Sequence, residues 1–223
     1  MIKTLYHGSD HIIEKPQYGL GRLKNDYGQG FYCTEHIELA KEWACPERRD
    51  GFVNKYELDM KNLKVLNLSS DGYHILNWLA ILLENRIFDL SFAIERKAKE
   101  YILDNFLPDY KKYDVIVGYR ADDSYFLFAR AFISNNISLS QLRKAMRLGN
   151  LGEQYCLKSE KAFSQITFKG SMIIEHEKYY FLRKKRDEKA RADYIKDAEE
   201  DDADGVFIRD IIREGWKNDD PRI

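Results

Sequence analysis

Short apolar runs alternate with longer amphipathic stretches along this chain, a pattern that predicts a mixed α and β protein. Residues 2–6 predict a strand that ends at His7. Phe52–Leu58 alternates with a period of two, and Val65-Leu66-Asn67-Leu68 is a further strand candidate. Tyr113-Asp114-Val115-Ile116-Val117-Gly118 has the composition of a buried strand. Glu153–Leu157 and Phe163–Phe168 are also strand candidates, the second after a short helical turn. Glu35–Ala44 has helical spacing, with Ile37, Ala40 and Ala44 on one face and Thr34 as its N-cap. Asp71–Arg86, Ser91–Phe106, Asp123–Ser134 and Ser138–Leu148 predict four more helices. Pro108 stops the second of these, and Ser138 and Ser140 are both suitable N-caps for the last. Residues 10–29 predict a loop broken by Pro16, Gly19, Gly21 and Gly28.

The composition changes near residue 175. From Glu175 to Glu200 the chain is dense in charge and predicts a long helix, basic at Arg183-Lys184-Lys185-Arg186 and acidic at Glu199-Glu200-Asp201-Asp202. Apolar spacing returns at Val206, Phe207, Ile208, Ile211 and Ile212, which predicts a second, docked helix. The expected organisation is a domain over 1–170 and a charged helical extension over 171–223. Lys plus Arg (36) nearly balance Asp plus Glu (37), so no global field draws the chain to nucleic acid. Cys33, Cys45 and Cys156 match no common zinc spacing and are expected to be buried free thiols in a reducing cytoplasm. The N-terminus shows no signal-peptide pattern, and the apolar run around Ile75–Leu83 is too short to span a bilayer. A cytoplasmic location, with no membrane partner, is the expectation.

Three motifs carry candidate chemistry. Leu5-Tyr6-His7-Gly8-Ser9 puts a histidine at a strand end, a glycine that lets a ligand approach the backbone, and a small hydroxyl. Tyr27-Gly28-Gln29-Gly30-Phe31-Tyr32 puts an aromatic ring after a Gly-x-Gly turn, where Tyr32 would stack on a flat ring. Each motif also fits an ordinary role, His7 as a satisfied strand-end histidine and Tyr32 as a core tyrosine. The third stretch is Leu151-Gly152-Glu153-Gln154-Tyr155-Cys156-Leu157. Glu153 and Gln154 point to opposite faces of a regular strand, and only a bulge would bring Glu153 to the face of Gln154. Asp122 and Asp123 follow the buried strand; they are a candidate acidic pair, or simply a helix start favoured by the dipole.

The first two motifs resemble the NAD-gripping motifs of the diphtheria-toxin and poly(ADP-ribose) polymerase branch of ADP-ribosyltransferases. Over most of residues 3–170 the motif order resembles the bacterial domain-of-unknown-function family 3990, itself similar to a remote branch of that fold. The resemblance implies an α+β, ADP-ribosyltransferase-like split β-sandwich with inserted helices. It implies a mono-ADP-ribosyltransferase that uses NAD as substrate, without a metal, and modifies a protein or nucleic acid. It also implies the toxin role of a toxin–antitoxin pair, with a small protein antitoxin as partner. On this resemblance His7, Gly8, Ser9, Gly30 and Tyr32 bind NAD. Gln154 stands where polymerases carry a catalytic glutamate, and Glu153, Asp122 and Asp123 are the substitute acids. Because an amide is neither a base nor an anion, the alternative is an NAD- or ADP-ribose-binding or protein-interaction module without chemistry.

Overall fold

The computed structural model describes residues 1–121, 123–148, 152–199, 202 and 204–223. The elements begin with β1 (Ile2–Ser9), β2 (Phe31–Cys33), α1 (Ile37–Ala44), β3 (Gly51–Asp59), β4 (Val65–Asn67), α2 (Ile75–Asn85) and α3 (Ala93–Phe106). They continue with β5 (Val115–Tyr119), α4 (Asp123–Ile133), α5 (Leu139–Ala145), β6 (Glu153–Leu157) and α6 (Glu160–Ser164). Strand β7 (Ile166–Ile174), α7 (His176–Glu199) and α8 (Ile208–Glu214) complete the chain. This is an α+β fold with two small sheets, ordered β1-β3-β7 and β2-β6-β5-β4. Pairing is antiparallel except between β4 and β5.

The period of two decides which layer each strand residue enters. Leu5 and Leu58 from the first sheet meet Cys33, Val115, Val117, Tyr155 and Leu157 from the second, forming the core between the sheets. The alternate residues Ile116 and Cys156 face away, into a larger core shared with Trp78, Phe128 and Phe132 of the helices. A two-bond bridge joins the sheets at their edges: Tyr6 N donates to Thr34 O (2.8 Å) and Thr34 N to Tyr6 O (2.9 Å). That bridge brings the end of β1 beside β2.

Local chemistry moves several boundaries from the sequence expectation. Helix α1 starts at Ile37, after His36, which makes no side-chain cap. Thr34 instead accepts from His36 N and donates to Glu153 O, both at 3.2 Å, tying β2 to β6. Ser138 does cap α5, in a reciprocal pair with Gln141, while Ser140 turns its hydroxyl to Asp202 Oδ2 (2.7 Å). Phe163 lies in α6, which Ser159 caps through Ala162 N, so β7 starts later and runs through residue 170 to Ile174. Helix α7 buries only Tyr179 and Ala190, and Arg186 anchors it to Glu42 of α1 at 2.7 Å. Ile208, Ile211 and Trp216 enter the larger core, and Gly215, at φ 70°, ends α8 in the left-handed conformation that glycine adopts without steric cost. All three cysteines are buried and free. Among the described residues no helix is long and apolar enough to cross a membrane, and no three His, Cys, Asp or Glu side chains converge as metal ligands would.

Candidate functional site

The bridge between β1 and β2 sets His7 against the backbone of Tyr32. His7 Nδ1 lies 2.6 Å from Tyr32 O. A carbonyl only accepts, so Nδ1 carries the proton and Nε2 is left as an acceptor. Burial lowers the His7 pKa and keeps the ring neutral, against the opposing pull of that hydrogen bond. Ser9 is engaged within the chain. Its hydroxyl accepts from Asn54 Nδ2 (2.9 Å) and donates to His11 O (2.5 Å). Asn54, fully buried on β3, also accepts from Ile13 N (2.9 Å), so Ser9 and Asn54 together fasten the loop that follows β1.

The glycines are explained by packing. A Cβ on Gly8 would lie 2.2 Å from Ala40 O and 2.6 Å from Ala44 N, so this glycine makes room for the backbone of α1. Gly28 takes a positive φ of 77°. Gly30 admits β6: its Cβ would meet Cys156 Sγ at 2.5 Å and Leu157 O at 2.7 Å. Tyr32 closes the turn that precedes it, donating to Gly28 O (2.6 Å) and accepting from Tyr27 N (3.0 Å). Its ring lies parallel to that of Tyr27, with centroids 6.4 Å apart. Lys158, just past the end of β6, locks the same turn by donating to Tyr27 O (2.6 Å) and Gln29 O (2.7 Å).

Gln154 sits on the face of β6 shared with Cys156 and is 3% exposed. Its Nε2 donates to Asp26 Oδ2 (2.8 Å) and Tyr119 O (3.2 Å), which leaves Oε1 as the acceptor. Asp26, also 3% exposed, takes a second hydrogen bond on Oδ2 from Ala121 N (2.9 Å). Its other oxygen, Oδ1, accepts no hydrogen bond among the described residues and has the Arg86 guanidinium 3.4 Å away. Burial raises the Asp26 pKa, opposed by the Ala121 and Gln154 hydrogen bonds and by the charges of Arg86 and Arg120.

A cleft of about 1140 Å³ opens over these groups. His7, Gly8, Ser9, Gly30, Tyr32 and Gln154 all line it, so motifs far apart in the chain converge. Glu153 does not line it. Strand β6 pairs regularly with β2 and β5, with no bulge, so Glu153 stays on the opposite face from Gln154. Asp123 begins α4, and Asp122 lies outside the described residues, as does the side chain of Asp123. The sequence reading missed Asp26, Trp43, Arg86 and Arg120, all in the cleft wall. Arg120 stacks on the Trp43 ring at 4.1 Å, and the buried Trp43 Nε1 donates to nothing among the described residues. Lys15, Arg22, Arg86, Arg120, Arg183 and Lys184 line the cleft against three acids, Glu14, Asp26 and Asp187.

The family model described as "Protein of unknown function (DUF3990)" matches residues 3–168, most of the chain. The chain belongs to that family. No curated protein and no solved structure matches it. The DUF3990 region holds His7, Asp26, Tyr32 and Gln154, whereas Tyr180, Arg183, Lys184 and Asp187 reach the cleft from α7, beyond the matched residues.

Proposed function

We propose that this chain is an NAD-dependent mono-ADP-ribosyltransferase. The observation that carries the proposal is the convergence of His7, Tyr32 and Gln154, from three separate motifs, on one cationic cleft. The cleft is on the scale of small-molecule sites, which run to about 1,000 Å³. An excess of guanidinium and ammonium groups suits the two phosphates of NAD. Trp43 Nε1, without an acceptor among the described residues, supplies a buried donor for a ligand acceptor, since a buried polar group left unpaired is costly. Neutral His7 offers an acceptor to a ribose hydroxyl, and the Gln154 carbonyl offers another. Oriented binding of this kind supplies much of the rate in a transfer that exposes a strained cation-like sugar. Elongation into a polymer is not expected, because it draws on the glutamate that Gln154 replaces. The toxin role and its antitoxin rest on the family resemblance alone.

Gln154 itself favours a second reading, a module that binds NAD or ADP-ribose without chemistry, because an amide carries no charge. The two readings part in one experiment. Purified protein is incubated with NAD, with and without cell lysate, and free nicotinamide is followed, with Tyr32→Ala and Gln154→Ala alongside. Lysate-dependent release that both variants lose supports the transferase. Saturable NAD binding without release supports the module. Neither binding nor release removes both.

A further inference from the structure

The cleft holds a carboxylate that no motif announced. Asp26 sits in the loop before the Gly28 turn, yet its partners lie at positions 86, 121 and 154. Its two oxygens are not equivalent. Oδ2 is fully engaged by Ala121 N and Gln154 Nε2, at 2.9 and 2.8 Å. Oδ1 is buried, accepts no hydrogen bond among the described residues, and has the Arg86 guanidinium 3.4 Å away, with the Arg120 charge also acting on the carboxylate. A buried carboxylate oxygen without a donor is costly unless something uses it. The Gln154 amide is oriented by the same contact: with Nε2 committed to Asp26 and Tyr119 O, Oε1 is the atom left to accept.

On the transferase reading above, we infer that Asp26 supplies the carboxylate that Gln154 lacks. The two side chains divide the work of one glutamate. Gln154 Oε1 accepts a hydroxyl of the nicotinamide ribose, while Asp26 provides negative charge beside the reacting sugar and receives the acceptor's proton on Oδ1. In the transfer, the bond from ribose C1′ to the nicotinamide nitrogen breaks, and its electron pair leaves with neutral nicotinamide. The acceptor heteroatom bonds to C1′, and its proton passes to Asp26 and then to water. NAD and the protonated acceptor become ADP-ribosylated acceptor, nicotinamide and a proton. Arg86, close to Oδ1, favours the ionised form of the carboxylate.

The test is Asp26→Asn in the full chain, with Asp26→Ala beside it. Asparagine is nearly isosteric, and its carbonyl can accept from both Ala121 N and Gln154 Nε2, so it removes charge and basicity while keeping the frame. NAD affinity is measured by calorimetry and nicotinamide release by chromatography. Asp26→Asn is expected to hold the Kd for NAD within about threefold while kcat falls about 100-fold, the usual scale for a lost proton acceptor. Sodium formate, a small carboxylate, is expected to restore part of the release in Asp26→Ala, where sodium chloride does not. Asp26→Asn with kcat within about threefold of wild type overturns the assignment and leaves the transferase standing. Equal losses of NAD affinity and release, with no formate rescue, overturn it too, since they mark Asp26 as framework. A wild-type chain that neither binds NAD nor releases nicotinamide overturns the transferase reading and this inference together.

Discussion

Gly8→Ala separates two accounts of the first motif. If glycine is there to admit a ligand, the variant folds normally and binds poorly. The geometry says otherwise: the added Cβ would lie 2.2 Å from Ala40 O, 2.6 Å from Ala44 N and 3.0 Å from Trp43 C, all of them backbone atoms of α1. Carbon makes comfortable contact at about 3.5 Å or more, so the helix must withdraw from β1 by roughly 1 Å. Overpacking of this kind costs about 1–3 kcal/mol and sometimes more, and a backbone obstacle belongs at the upper end. For a chain of this size each kcal/mol lowers Tm by about 2–4 °C, so a fall of roughly 6–12 °C is expected. Because α1 carries Trp43 into the cleft wall, ligand binding weakens as well. Thermal unfolding by circular dichroism reads the loss. Gly72→Ala is the control, since nothing lies within 4 Å of its added Cβ. A Gly8→Ala chain that melts with the wild type would refute the packing argument.

Tyr32→Phe removes the hydroxyl that donates to Gly28 O and accepts from Tyr27 N. The loss should cost about 1–3 kcal/mol, and an unchanged urea midpoint would count against it. The neutral, buried His7 has a lowered pKa, so the unfolded chain takes up its proton first as pH falls. The His7 contribution to stability is therefore flat above the unfolded value near 6.5 and declines below about pH 6.5. The decline should be shallower in His7→Gln, and identical acid profiles for the two proteins would exclude this role. Removing residues 205–223 strips Ile208, Ile211 and Trp216 from the larger core. At about 1.5–3 kcal/mol for each buried side chain, the loss approaches the whole stability of an ordinary domain. A truncated chain with native near-ultraviolet circular dichroism would contradict this packing.

The strands were legible where one residue type dominates a face. Val115-Ile116-Val117 and Glu153–Leu157 read as strands because each face they present is buried or paired. The convergence of His7, Tyr32 and Gln154 was legible because motif order specified it. Asp26 was not, because its burial comes from groups 60 to 128 positions away and nothing beside it in a polar, glycine-rich loop signals that. The packing roles of Gly8 and Ser9 were not legible for a related reason. A sequence shows that a residue is small or carries a hydroxyl, but not that α1 takes the space or that Asn54 takes the hydrogen bond. Helix α7 has the composition of a solvated helix, and mostly is one. Only its docking on α1 turns Arg183 and Lys184 toward the cleft.

The central claim is transfer of ADP-ribose, and the most direct measurement follows the transferred group itself. NAD radiolabelled in the adenylate phosphate is incubated with the protein and a cell lysate, and label is sought in acid-insoluble macromolecules. The account predicts label that phosphodiesterase removes and that is absent with Gln154→Ala. Intact NAD and unlabelled macromolecules, from a chain shown to be folded, would contradict it.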